Sequence, residues 1–139
     1  HRLTNYVFDL ARFTKFEGET GPYLQYAAVR IKSLLKKAEE QGSKLGPIDI
    51  KAAAERDLVL TIDRLPYTIG AAIEKRTPNA LCALAFELAQ SFSRFYSTHH
   101  ILSESDLAAQ SSMLSLCQLA LSELQILLGI LGIDVPPRM

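Results

Sequence analysis

Apolar residues recur at three- and four-residue spacing along nearly all of this 139-residue chain, and no stretch sustains the every-second-residue alternation of a half-buried strand. That period restricts the chain to helices that bury one face each, so the expected class is all-α, a bundle of five to six helices with short connectors. The length suits one domain with a substantial core.

Start and stop signals divide the pattern. Leu3, Val7, Leu10 and Ala11 mark one face of a first helix reaching about Phe13, followed by a loop. Thr20 or Gly21 can cap a second helix from Pro22 to Gln41, with proline near the first position, where its missing N–H costs nothing. Gly42 suits the residue after that helix, and Gly42 to Pro47 reads as a connector. A third helix is expected from Asp49 to Leu65, stopped by Pro66, and a short fourth from Pro66 to Arg76. Thr77-Pro78 reads as a cap and first turn for a fifth helix with the stripe Leu81, Leu84, Leu88, Phe92 and Phe95, ending between Ser97 and His100. Ser103 and Asp106 resemble a capping box opening a sixth helix, apolar almost all round, that runs to Leu131 and belongs in the middle of a bundle or against a partner.

Composition narrows what such a bundle can do. Fifteen basic and fifteen acidic residues give no net charge, so a grip made mainly on nucleic-acid phosphates is disfavoured. No apolar run reaches the ~18 residues that span a bilayer. The start at His1, without Met or a signal-peptide layout, reads as a piece cut from something longer. Cys82 and Cys117 lie apart in apolar helical stretches and read as buried thiols in a reducing compartment. His99 and His100 are neighbours whose side chains diverge by ~100° on a helix, so no metal site is expected. Asp57 and Asp63 read as solvated or ion-paired acids.

Catalytic signatures are missing from the sequence: there is no nucleophile elbow, no zinc-binding H-E-x-x-H and no phosphate-cradling loop after a strand. No catalytic residue is assigned. One group of side chains stands out. Tyr23, Tyr26 and Arg30 share a helical face, which suits either a helix–helix interface or a platform on which unpaired bases stack beside a guanidinium. Arg94, Tyr96 and His100 supply similar groups on the fifth helix. Stacking contributes about 1–3 kcal/mol per base without any net positive charge.

Three ordered blocks then carry a family resemblance. Gly18-Glu-Thr-Gly-Pro-Tyr-Leu-Gln-Tyr-Ala27, continuing through Arg30 to Ser33-Leu34-Leu35, resembles the G-x-T-G-P-Y-x-Q-Y-A-x-x-R-x-x-S-[IL]-L stretch of arginyl-tRNA synthetases. Leu88-Ala-Gln-Ser-Phe-Ser-Arg-Phe-Tyr96 is similar to their L-A-x-x-F-N-x-F-Y segment. Leu127-Leu-Gly-Ile-Leu-Gly-Ile133 with Pro136-Pro-Arg-Met139 is similar to their closing L-L-G-I-x-x-P-x-R-M.

The resemblance implies a C-terminal anticodon-binding (DALR) domain over residues 1–139 of a class I arginine–tRNA ligase, cytoplasmic and without a membrane or an oligomer. The implied partners are the tRNA(Arg) anticodon stem-loop and the enzyme's own catalytic domain. That domain, absent from this chain, would carry the HIGH-type motif and use ATP with magnesium; this fragment alone would not be catalytic. Carried across by position, the RNA-binding set is Tyr23, Tyr26, Arg30, Ser93, Arg94, Tyr96, His100, Arg138 and Met139, with Tyr26, Tyr96 and Met139 at its centre. Gly18, Gly21 and Pro22 would shape the loop. Two positions depart from the pattern: Ser93 replaces an asparagine, and Met113 replaces the arginine of R-L-x-L at the start of the last helix, where a changed contact is expected. The alternative is a protein-interaction module that does not bind tRNA.

Overall fold

The computed structural model describes Val7, residues 9–14, Gly18 and residues 20–139. Its elements, in chain order, are α1 (Leu10–Phe13), α2 (Gly21–Glu40), α3 (Ala53–Ile62), α4 (Leu65–Lys75), α5 (Asn79–Thr98), a 3₁₀ turn (Ile101–Ser103) and α6 (Leu107–Ile130). The class is all-α; no strand occurs among the described residues. His1, Leu3 and Thr4, from which the first helix is expected to start, lie outside the described residues.

Local chemistry sets most boundaries. The Thr20 hydroxyl accepts from the Tyr23 N–H and caps α2. At the other end, Gly42 takes φ +79°, the Gly42 N–H bonds to Glu39 O and the Ser43 N–H to Ala38 O. These two bonds are the helix-ending pair that a left-handed glycine permits. Arg76 closes α4 with φ +51°.

Four expected boundaries move. α3 begins at Ala53, not Asp49, because residues 43–52 run extended along α6. Serine hydroxyls of α6 take the place of helical bonds there. Ser115 Oγ accepts from the Gly46 N–H and donates to Gly46 O, and Ser112 Oγ does the same for Asp49. The Glu55 carboxylate then receives the Lys51 and Ala52 N–H groups and fixes the helix start. Pro66 opens α4 near its N-terminus instead of stopping α3, which ends at Ile62. No side chain caps α5. The cap of α6 is Asp106, accepting from Ala108 and Ala109, while Ser103 belongs to the 3₁₀ turn.

The three long helices form the frame. Tyr23 meets Phe86 and Arg30 meets Tyr96, so α2 and α5 run in the same sense. α6 runs against both: Gln25 near the start of α2 donates to Asp134 O just beyond the end of α6. α3 runs against α5, tied by Glu55–His99 at one end and Arg64–Glu87 at the other. Phe92, Phe95, Leu58, Ile31, Leu114, Leu116, Leu124, Leu127 and Leu128 are fully enclosed between them. α6 is long and apolar enough to cross a membrane by length and composition, yet 56% of its most apolar window is buried in the bundle. It is the central helix.

Burial of the thiols splits. Cys117 is enclosed and its thiol is pushed up to about 12 by desolvation, whereas Cys82 is exposed, contrary to expectation. The reason is phase: Cys82 follows Leu81, whose side chain points into the core, by ~100° of helical rotation. Met113, at the position of the missing arginine, is 3% exposed and sits in the core. It fills space there as an unbranched apolar chain.

Candidate functional site

Phe92 is the back wall of the site. It is buried in the core, and one turn later on α5 the Tyr96 ring lies 6.0 Å from it with an interplanar angle of 28°. The Arg30 guanidinium of α2 sits over the Tyr96 ring, 4.3 Å from its centroid. A cation held against an aromatic face in this way is stabilised by the ring quadrupole, more strongly where water is partly excluded. Tyr96 and Arg30 are both half-buried, so the pair is ordered by the bundle but open to solvent.

Beside this pair is a recess of about 350 Å³ lined by Arg30, Leu34, Tyr96, His99, His100 and the 3₁₀ turn. The 3₁₀ turn that lines it is braced from behind by Gln110, a buried α6 side chain whose amide donates to Ile101 O and Leu102 O. The wall of the recess is set by His99, whose ring packs 4.8 Å from Phe95 and whose Nδ1 is 2.8 Å from Phe95 O. Nε2 of the same ring lies 3.6 Å from Glu55 Oε1, so the carboxylate that starts α3 also holds the end of α5.

Of the residues expected from sequence, the recess brings together Arg30, Tyr96 and His100. Tyr26 lies on α2 one turn before Arg30 and is 45% exposed. Tyr23 instead packs on Phe86, 5.6 Å between centroids, and forms part of the α2–α5 interface. Arg94 is exposed on another side of α5, beside Ala53, Ala54 and Asp57 of α3. Ser93 is half-buried. Arg138 and Met139 are exposed at the end of a tail that the Gln25–Asp134 bond and the packed side chains Ile133 and Val135 hold against the bundle.

Sequence reasoning passed over His99, Gln110, Glu55 and Phe92 as parts of the site. His99 had a readable signal in its place beside His100, since adjacent residues on a helix face different surroundings. Gln110 and the Glu55–His99 contact had none, because those partners are 8 or more residues away or on another helix.

The site thus combines an open recess, aromatic faces at graded exposure and one guanidinium held over a ring.

Comparison with known proteins gives one consistent answer. The family described as the DALR anticodon binding domain matches residues 24–139. The chain is 52% identical over its whole length to an arginine–tRNA ligase of Maricaulis maris, covering 24% of that protein. It is 49% identical over 99% of its length to an arginine–tRNA ligase of Hyphomonas neptunium, covering 23% of it. Thermus thermophilus arginyl-tRNA synthetase superposes on 90% of the chain with a TM-score of 0.79 and 32% identity, over 22% of its own length. The chain therefore spans about a quarter of the length of the relatives it matches.

Proposed function

Because this chain belongs to the family of DALR anticodon binding domains, we propose that residues 1–139 form the C-terminal domain of an arginine–tRNA ligase and grip the anticodon stem-loop of tRNA(Arg). The parent enzyme, class I and cytoplasmic, joins arginine to tRNA in an ATP-dependent reaction. Its ATP-using machinery belongs to a catalytic domain outside this chain, since no phosphate-binding loop occurs in this sequence.

The observation that carries the reading is the Arg30–Tyr96 stack at the mouth of the recess. A loop base turned out of its helix meets a flat face there, with guanidinium N–H groups at its edge as donors. Tyr26 offers a second face on α2 and His100 a ring at the rim, and Met139, matched by position to the family's closing motif, is assigned to the same contact from the tail. Arg94, Ser93 and Arg138 are peripheral groups that meet the sugar and phosphates. Tyr23 acts by fixing the tilt of α2 on α5. In this arrangement the domain positions tRNA and leaves the chemistry to its partner domain.

The test is arginylation kinetics in the full-length enzyme. Tyr96→Ala and Tyr26→Ala are each expected to raise KM for tRNA by the equivalent of about 1–3 kcal/mol, roughly 5- to 150-fold, with kcat for saturating tRNA little changed. If both variants charge tRNA with wild-type KM, the stacking assignment is wrong.

A further inference from the structure

Most of α6 is enclosed; its open side carries Gln118, Gln125 and Gly129, and one edge of that side is apolar. Leu119, Ile126 and Ile130 are 38%, 49% and 53% exposed, on the helix that otherwise forms the centre of the core. With Glu123 they fall at spacings of four, three and four residues, within an arc of about 60°. That spacing is the seam a helix presents to a second helix packed alongside it.

Glu123 gives the seam a chemical character. It is 8% exposed, and its Oε2 has no hydrogen-bond partner among the described residues. Burial and the nearby Asp63, at the end of α3, push its carboxyl up to about 7. Two acids at one place, one of them buried with an unfilled oxygen, are costly unless a proton or a cation joins them. The nearest cation in sequence, Arg64, is engaged by Glu87.

We propose that the Leu119–Glu123–Ile126–Ile130 face of α6 is the docking seam for an apolar helix bearing a lysine or arginine, supplied by the part of the parent enzyme outside this chain. The incoming cation lies against the exposed Asp63, beside the buried Glu123, and its apolar neighbours cover Ile126 and Ile130. This rests on the reading of the chain as about a quarter of a longer ligase. A second copy of the chain fits poorly, because a two-fold contact along this seam brings Glu123 towards its own equivalent. The seam is separate from the Arg30–Tyr96 recess, so docking and tRNA contact need not compete.

The experiment uses the full-length enzyme with the photoreactive residue benzoylphenylalanine in place of Ile126, of Ile130, or of Gln125, an exposed control off the seam. After irradiation, cross-linked peptides are mapped by mass spectrometry, with and without Asp63→Lys, and arginylation is measured alongside. The expected result is cross-linking from positions 126 and 130 to one helical segment outside residues 1–139 that contains a basic residue, at least fivefold above position 125. Asp63→Lys, an exposed change that leaves the core alone, should cut that yield at least threefold. Cross-links only to a second copy, to residues 1–20 of the same chain, or to added tRNA overturn the proposal. So does a yield at 126 and 130 no higher than at 125. If the seam fails in an enzyme whose tRNA KM still depends on Tyr26 and Tyr96, the docking surface is lost and the anticodon reading stands. Wild-type KM in both tyrosine variants removes that reading whatever the cross-links show.

Discussion

Glu123 joins burial to pH dependence most directly. Its folded value of about 7 lies above the ordinary carboxyl value of 4.5, so the folded state holds a proton that the unfolded chain releases earlier. The stability this proton supports is complete below about pH 4.5 and is lost as pH rises through about 7. Glu123→Gln keeps the uncharged shape at every pH. At pH 8 it is therefore expected to stabilise residues 1–139 taken alone by about 1–3 kcal/mol over wild type, with the gain vanishing near pH 4, as read by denaturant unfolding at both pH values. Equal effects at the two values would show that Glu123 is not protonated in the fold. Gln110 has the opposite character, a neutral group fully used. Gln110→Leu strips Ile101 O and Leu102 O of a donor. It should cost about 1–3 kcal/mol and raise tRNA KM through a displaced 3₁₀ turn. An unchanged KM in a destabilised variant would show that the position of the 3₁₀ turn does not matter to tRNA binding. At this scale Tyr96 and Arg30 were legible from residue type and spacing, whereas Glu123 reads in sequence as one more polar position on an apolar helix.

Among the elements, the extended strap of residues 43–52 departs most from a simple helix count. Propensity alone reads Asp49–Ala54 as helix, and the serines of α6 as weak helix formers. Together they make a different structure, in which Ser112 and Ser115 replace the helical partners of Asp49 and Gly46. Close approach is required: a Cβ at Gly46 would lie 2.6 Å from Ser111 Oγ. Gly46→Ala is thus expected to lower stability by about 1–3 kcal/mol and loosen the strap, detected as faster amide exchange over residues 43–52. Ser115→Ala should do the same while adding no bulk. If exchange stays at the wild-type rate in both variants, the serine ladder does not hold the strap. Long-range pairing of this kind has no local code, which is why the start of α3 was misplaced while the ends of α2, marked by Thr20 and Gly42, were legible.

For the molecule as a whole, neutrality and the closed core decide how the bundle can bind. With 15 charges of each sign, few phosphates can be neutralised at once. The KM for tRNA should therefore respond to Tyr96→Ala by a similar factor at low and moderate salt. A tyrosine effect that disappears as salt rises would point to a phosphate-dominated grip instead. The order of helices, their faces and the family-bearing blocks were set by the chain alone, because a 3.6-residue period, a capping threonine and a left-handed glycine act over a few neighbours. The tertiary structure decided what those helices enclose. It put Arg30 on Tyr96, split Cys82 from Cys117, gave His99 to Glu55, and left one seam of α6 uncovered around a buried acid. Each of these depends on which faces meet across the bundle, and that is fixed only when every apolar stripe is buried at once.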